Sequence, residues 1–249
     1  TMGLIGPVAV LTHYQNQDIG QQLLGACQEF FDENKATLQG LATYPYSPKH
    51  LILYQKFGYK PKGLVVVTSK TLDRNDLAAA KTPPRPGLAV RRYSTLEEAR
   101  KKQVMQKIRR ITNALWRGFD LAKEIEIVEG LTLGDTLLLE KGREVIGFAV
   151  CHLPPNSEAP HGSAYVKLLA IDSRHRKPEH LDSLLAGVED LAAAGQLQRV
   201  VVPAYTYYWT AYQTLLQRGY HVDFTMVRMK RGKQEDYEDA SDLVLDDWR

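Results

Sequence analysis

The sequence holds few cysteines, the residues that build disulfide frameworks and thiolate metal sites. Cys27 and Cys151 are the two cysteines among 249 residues, too few for either kind of site. Both lie in apolar segments, where we expect them to be small core residues. The seven histidines show no paired ligand spacing on one helix face, so we predict a protein without a metal.

Long apolar runs and a strong excess of one charge are also missing. No apolar run approaches the roughly eighteen residues of a membrane span, and no signal peptide opens the chain. We therefore expect a soluble, cytoplasmic protein with no membrane partner. The net charge of +3 is mild, so nucleic acid is not an expected partner, although a basic helix face over residues 100–110 keeps that hypothesis open.

The opening residues read as a strand, a tight turn and the start of a helix. An apolar run over residues 4–11 predicts a buried strand, and apolar residues from Ile19 to Phe30 recur at helical spacing. The first N–H groups of such a helix and its positive dipole end favour a phosphate. Gly20 lets a ligand approach the backbone closely, and Asp18 tolerates a left-handed conformation. The alternative is an ordinary strand-to-helix turn without a ligand.

Two motifs in this region have the spacing of a known superfamily. Residues 15–20 read Gln-Asn-Gln-Asp-Ile-Gly, and residues 47–59 read Ser-Pro-Lys-His-Leu-Ile-Leu-Tyr-Gln-Lys-Phe-Gly-Tyr. The first resembles the pyrophosphate loop Arg/Gln-x-x-Gly-x-Gly/Ala of the GNAT superfamily of acyl-CoA N-acyltransferases. The second resembles that superfamily's pattern Asn-x-x-Ala-x-x-Leu-Tyr-x-x-x-Gly-Phe. The main departure is Asp18, which puts a negative side chain where glycine is usual.

The resemblance implies an α/β fold with a mixed sheet and transfer of an acetyl group from acetyl-CoA, the co-substrate, to an amine. The acceptor is expected to be a small-molecule or peptide amine, which the sequence does not identify. The backbone of Val8 and Val10 is expected to pair with the pantetheine arm, and the amides of residues 17–21 to take the pyrophosphate. The predicted cofactor-binding set is Val8, Val10, Gln15, Gln17, Asp18, Ile19, Gly20, Gln21 and Ser47.

Tyr54 is the predicted catalytic residue, because a phenol can donate a proton to the departing thiolate. The alternative is a tyrosine that only packs in a helix interface. The general base is less clear, and His50, His13 or an ordered water could serve. A rival hypothesis is a non-catalytic protein that binds CoA or a partner through GNAT-like modules.

The pattern that follows indicates alternating strands and helices. Strands are predicted over residues 38–43 and 64–69, with a helix over 47–57 that Gly58 closes. In GNAT proteins the phosphate-loop strand is the fourth, so residues 1–70 are interpreted as a partial acyl-CoA-binding module. A tag remnant or missing upstream sequence would each explain the threonine before the first methionine. The proline-rich residues 71–86 are interpreted as a linker, with a possible short helix at 75–80.

The chain then repeats itself. Residues 87–232 are predicted to form a complete module, with helices from Ser94 or Thr95 to about 118 and over 120–127. A shift of 161 residues aligns Gly58 with Gly219, and this register predicts two tandem GNAT-like folds, with a homodimer also possible. The predicted strands are 88–93, 136–140, 145–153 and 164–172. The paired positions are Ala9 with Ala170, Leu23 with Leu184, Leu24 with Leu185, Tyr59 with Tyr220, and Val66 with Val227.

The second module is predicted to have lost the chemistry of the first. Residues 176–181 read Arg-Lys-Pro-Glu-His-Leu where residues 15–20 stand in the first module, and Leu215 replaces Tyr54. Residues 233–249 form an acidic tail, which we expect to be solvated and flexible. The alternative for the tail is that it lies on the basic helix of the second module.

Overall fold

A computed structural model describes residues 2–73, 85–232, 239–246 and 248. Within this part the helices are α1 (Ile19–Glu33), α2 (Pro48–Lys56), α3 (Glu98–Leu115), α4 (Ala122–Gly130), α5 (Pro178–Ala194) and α6 (Trp209–Gln217). The strands are β1 (Met2–Leu4), β2 (Leu38–Thr43), β3 (Lys60–Thr71), β4 (Leu88–Arg92), β5 (Gly134–Lys141), β6 (Glu144–His152), β7 (Ser163–Ile171), β8 (Arg199–Tyr205), β9 (His221–Arg231) and β10 (Val244–Asp246). The helix proposed at 75–80 and most of the linker lie outside the described residues.

The elements of residues 2–73, here called the first half, largely follow the predictions. β2 covers the predicted residues, and α1 and α2 begin and end within a few residues of their predicted limits. Pro48 occupies the first turn of α2, where its missing N–H costs nothing. Gly58 follows this helix with φ +82°, a left-handed conformation that glycine adopts without strain, and the predicted cap is confirmed.

The predicted opening strand is wrong beyond its first residues. β1 contains three residues, and the chain from Ile5 to Leu11 leaves the sheet. Pro7 has no N–H to donate, and β2 diverges from this segment, so a strand ladder cannot continue. Leu11 is 67% exposed, although its apolar side chain suggested burial.

One mixed sheet runs through the described chain in the order β1-β2-β9-β3-β8-β7-β6-β5-β4, with β10 paired to β7. Strands of the two halves therefore alternate, because β9 of the second half lies between β2 and β3 of the first. The predicted linker begins too early: Thr71 belongs to β3, and Leu72 is buried with its N–H donated to the carbonyl of Gln198. The proposed division into domains stays a prediction.

The centre of the sheet has an internal two-fold register. Val65 of β3 pairs with Met226 of β9, and these residues are counterparts under the 161-residue shift. The five β2–β9 pairs, from Gln39↔Arg231 to Thr43↔Val227, become β3–β8 pairs under the same shift. Gly219 follows the end of α6 with φ +83°, as Gly58 follows the end of α2 with φ +82°. The predicted repeat register thus coincides with the strand pairing.

The second half, residues 85–232, has the predicted order of strands and helices before β7. The predicted helix start is wrong, because α3 begins at Glu98 after a short 3-10 turn. The hydroxyl of Ser94 donates to Asp135 at 2.5 Å, so it does not cap the helix. Along the described residues, no helix combines the length and apolar character needed to cross a bilayer.

Within the described residues, the acidic tail is buried from Asp242 onward, whereas residues 239–241 are exposed. Residues 239–246 with Trp248, here called the tail segment, contribute β10, which pairs with β7 and also contacts β8. Leu243, Val244 and Leu245 are each at most 1% exposed. The alternative of docking on the basic helix is wrong for the described tail residues, which lie against β7 and β8. The strand forms from the short apolar run Leu243–Leu245, which lies between two carboxylates. The high charge of the surrounding residues masked this apolar run in the sequence.

Candidate functional site

A cleft opens where β1 and β2 diverge. The two strands pair in parallel from Met2↔Leu38 to Leu4↔Gly40, and the Ile5 N–H still donates to the Gly40 carbonyl at 3.0 Å. Beyond this point the strands separate around a cavity of about 620 Å³. This first cleft is lined by the segment after β1, the start of α1, the end of β2 and one face of α2. Met226 of β9 also lines it, so the second half contributes to the wall.

The turn before α1 has the conformation predicted for it. Asn16 and Asp18 have φ of 63° and 57°, both left-handed, which confirms the expectation for Asp18. The first backbone bond of α1 runs from the Gln22 N–H to the Asp18 carbonyl at 3.0 Å. Within the described chain, no acceptor engages the backbone N–H groups of residues 17–21. The corner is therefore open and rich in free donors.

Side chains around this turn set its charge. The Gln21 amide donates to the Asp18 carboxylate at 2.6 Å, and the Lys49 ammonium donates to the Asn16 side chain at 2.9 Å. Lys49 and Lys56 of α2 both line the first cleft. These lysines were not selected from the sequence, although their spacing of two helical turns puts them on one face of α2. They add two cations to the cavity that Asp18 also lines.

Comparison with solved structures shows which architecture this is. A GCN5-related N-acetyltransferase from Sphaerobacter thermophilus matches with a TM-score of 0.58 at 14% identity, covering 93% of this chain and 73% of that one. A tandem GNAT protein from the clavulanic acid biosynthesis pathway matches with a TM-score of 0.54 at 12% identity, covering 91% and 74%. The chain has the GNAT fold.

Another solved structure with this fold is a much longer chain, and only part of it aligns with this protein. The GCN5-related glucosamine N-acetyltransferase region of a fungal multi-domain β-N-acetylglucosaminidase matches with a TM-score of 0.62 at 14% identity. That alignment covers 90% of this chain and 29% of the fungal one. No family model matches the sequence, and no curated protein sequence matches it either. The GNAT likeness therefore establishes the fold alone.

The structure brings most of the predicted site residues to the first cleft. Gln17 and Ser47 are the exceptions: the Gln17 amide donates to the His13 carbonyl at 3.2 Å, and Ser47 precedes α2 without a side-chain cap. The predicted residues that line the first cleft are Val8, Val10, Gln15, Asp18, Ile19, Gly20, Gln21 and Tyr54. Of the two candidate bases, His50 lines the cavity and His13 does not.

Tyr54 lines the cavity, and on its other side it contacts the buried, hydrogen-bonded pair of Gln28 and Tyr59 through the Tyr59 ring. Burial raises the pKa of its phenol above the ordinary value, and the nearby Cys27 adds to the effect. Its ring meets that of Tyr59 edge-on, with 6.3 Å between centroids. Among the described residues, no group hydrogen-bonds the Tyr54 hydroxyl, whereas the Tyr59 hydroxyl accepts from Gln28 at 2.7 Å. Tyr54 therefore presents a protonated phenol that holds no partner within the protein.

Gly20 is not required by the fold of the turn. A Cβ atom at this position would meet only the Leu53 side chain, at an ordinary 3.8 Å. The backbone there is helical, so glycine's freedom at positive φ is not used. The protein alone gives no steric reason for a glycine at the mouth of the GNAT cleft.

A different cluster offers three potential metal ligands. Ligand atoms of Glu144, Asp172 and His175 lie within 4.8 Å of one another. The Lys107 ammonium contacts both carboxylates at 2.9 Å, and Arg174 contacts Asp172 at 2.8 Å. These cations hold the pKa of Asp172 well below its usual range, although its burial acts in the opposite direction. Protein cations thus already neutralise the cluster.

Proposed function

We propose that the first cleft binds acetyl-CoA and that the protein is an N-acyltransferase built from two GNAT-like modules in tandem. The observation that carries this proposal is the coincidence of a diverging strand pair and a turn with free N–H groups around one cavity. A diverging pair leaves backbone groups that an extended ligand can satisfy. Free amides at a helix start favour a diphosphate.

The residues of the cleft fit the parts of an acyl-CoA. The backbone of Val8 and Val10 would pair with the amide-bearing pantetheine arm. The N–H groups of residues 17–21 would take the pyrophosphate, and Lys49 with Lys56 would offset the negative charge of Asp18. Gly20 keeps the approach to the backbone free, which explains a glycine that the fold does not need.

Acetyl-CoA supplies an activated acyl group, and the protein mainly positions it. In the transfer, the nitrogen of a neutral amine forms a bond to the acyl carbon, and the carbon–sulfur bond breaks. Tyr54 would donate its proton to the departing sulfur, since a phenol is protonated at neutral pH and burial raises its pKa further. The amine proton would leave through His50 or water. A small-molecule or peptide amine is the proposed acceptor.

Replacing Tyr54 with phenylalanine tests the assignment. We expect Tyr54→Phe to bind acetyl-CoA like the wild type and to lose about 100-fold or more in turnover, the usual contribution of a general acid. Titration calorimetry measures the binding, and a free-thiol assay with a panel of amines measures turnover. Tyr46→Phe is the matched control, because Tyr46 is 75% exposed and does not line the cleft. No binding of acetyl-CoA by the wild type would refute the proposal.

A second candidate is a non-catalytic protein that binds CoA or a partner. One observation favours it: Asp18 is the one carboxylate among the described residues that line the first cleft, and Gln21 engages it. No carboxylate base is therefore positioned there. The two candidates differ in the same assay, since turnover of any amine excludes the second, whereas acetyl-CoA binding without turnover across the panel supports it.

A further inference from the structure

A second cleft exists between β7 and β8. These strands pair in parallel from Ser163↔Arg199 to Tyr165↔Val201 and then diverge. The 161-residue shift converts those pairs into the β1–β2 pairs from Met2↔Leu38 to Leu4↔Gly40. The second cleft thus opens at the position that corresponds to the opening of the first.

The tail segment runs through the second cleft as an added strand. β10 pairs antiparallel with β7, with Val244 opposite Ala170 and Asp246 opposite Leu168. The Ile171 N–H also donates to the Leu243 carbonyl at 3.1 Å. The paired residues of β7, 168–170, correspond to residues 7–9 beside the first cleft. In the second cleft, the tail segment therefore occupies the position that corresponds to the proposed pantetheine path in the first cleft.

One end of the tail segment reaches the turn before α5, which corresponds to the turn before α1. Arg176 stands at the position of Gln15, and its guanidinium donates to the Asp242 carboxylate at 2.5 and 2.9 Å. The same side chain contacts Asp239 at 2.9 Å and the Ser241 hydroxyl at 2.8 Å. Two carboxylates of the tail thus lie where the first cleft would take a diphosphate.

The other end of the tail segment is held by a buried cation. Asp246 forms an ion pair with Arg228, and both side chains are at most 3% exposed. The Arg228 guanidinium lies between two aromatic rings, 3.9 Å from the centroid of Tyr205 and 4.2 Å from that of Trp248. A buried guanidinium needs such a carboxylate, because an unpaired buried charge is costly. The second cleft therefore contains a buried arginine that binds an acidic residue.

The second cleft lacks the features that would suit a diphosphate. Pro178 stands in the first turn of α5, so one backbone donor is missing. Leu181 replaces Gly20 and is fully buried, filling the corner with an apolar side chain. Strand pairing, two arginines and apolar walls are instead what an extended acidic peptide requires.

We propose that the second cleft is a peptide-binding groove that selects an extended acidic segment, and that the tail segment is its resident ligand. The tail excludes acyl-CoA from this cleft, so one chain has one acyl-CoA site. Peptide recognition rests on the observed pairing, whereas the comparison with an acyl-CoA path rests on the proposed function.

The experiment uses the full chain with Val244→Lys and Leu245→Lys, which put two ammonium groups into the apolar groove and expel the tail. The probe is a labelled synthetic peptide of residues 239–249, and its binding is measured by fluorescence anisotropy. We expect one peptide to bind per chain at least tenfold more tightly to the variant than to the wild type, whose groove is filled. A peptide with Asp242→Asn and Asp246→Asn should bind at least tenfold more weakly than the native peptide.

Equal affinity of the native peptide for both proteins, or no binding to a variant with a native circular dichroism spectrum, overturns the proposal. A milder variant decides the matter if the lysine variant does not fold. In Trp248→Ala, hydrogen exchange at residues 169 and 171 should accelerate at least tenfold, while residues 200, 202 and 204, which pair with β3, keep their rates. Equal acceleration at both strands would show that the tail is not a separable ligand and would also overturn the proposal.

Acetyl-CoA titration separates this proposal from the proposed function. One acetyl-CoA per chain in both the wild type and the lysine variant supports both ideas. Two acetyl-CoA molecules per chain in the lysine variant would show that the second cleft is an acyl-CoA site, which contradicts the proposal of a peptide groove. No acetyl-CoA in either protein would remove the proposed function, and the peptide titration would still decide the groove.

Discussion

The two clefts have the same backbone register and opposite surroundings. Ala9 beside the first cleft is exposed, whereas its counterpart Ala170 beside the second is fully buried. β1 lies at the end of the described sheet, while β7 has β6 and β5 on its outer side. Backbone groups in a buried cleft need partners from the protein, and those in an exposed cleft can be satisfied by water or a ligand.

The difference shows how one fold can give a ligand site or a filled groove. The strand pairs that open each cleft correspond one for one, so their pairing register does not distinguish them. Side chains do: Gly20 and a free turn mark the first, and Leu181 with Arg176 and Arg228 marks the second.

The largest effect is expected from Arg228→Met, which removes the cation of the second cleft and keeps an apolar stem. Val67 stands at the corresponding position in the first half, without a charge. Buried Asp246 would lose the cation that pairs with it, so we expect the free energy of unfolding to fall by about 3–5 kcal/mol in urea titrations. The double variant Arg228→Met with Asp246→Leu should lose less. A loss under about 1 kcal/mol in the single variant would contradict the pairing.

The next effect comes from two tyrosines at corresponding positions. Burial raises the pKa of Tyr59 to about 12 and raises the pKa of Tyr220 well above its ordinary value. Both favour the neutral phenol in the folded state, so their stabilisation is complete below pH 10, the unfolded value, and is lost as pH rises toward 12. We expect unfolding free energy to decrease between pH 10 and 12, by up to about 2 kcal/mol from Tyr59.

Urea titrations at several pH values measure this decrease. Tyr59→Phe removes the ionisable group and should make the dependence on pH shallower. Its stability at pH 8 provides the reference, since the variant also leaves the Gln28 amide without the hydroxyl that it contacts. An unchanged slope in the variant would show that Tyr59 does not carry the effect.

The smallest effect is expected at the mouth of the first cleft. Gly20→Ala puts a methyl group where the fold has space, so the free energy of unfolding should change by less than about 1 kcal/mol. Acetyl-CoA affinity should fall about tenfold, or about 1.4 kcal/mol, because the backbone becomes less accessible. Gly25→Ala in the same helix is the matched control, since a Cβ there contacts nothing within 4 Å. Equal affinities in the two variants would remove the role of Gly20.

Local features of this protein followed from the sequence. The limits of β2, the glycine caps and the left-handed Asp18 depend on neighbouring residues, whose periodicity and φ preferences act over short distances. The repeat register followed as well, because matched glycine, tyrosine and leucine positions recur at one spacing. The fold class was predicted correctly from two motifs.

Tertiary structure alone decided what surrounds each cleft. The insertion of β9 between β2 and β3 joins residues far apart in the chain, and no local pattern encodes which strand edges meet. The tail was expected to be solvated because residues 233–249 hold seven carboxylates around one short apolar run, whereas in the fold Arg176 and Arg228 pair with two of those charges. Lys49 reached the first cleft through the packing of α2 on α1. Sequence determined most of the elements and the 161-residue register, because these depend on neighbouring residues, whereas burial and long-range charge pairing determined which cleft stayed open.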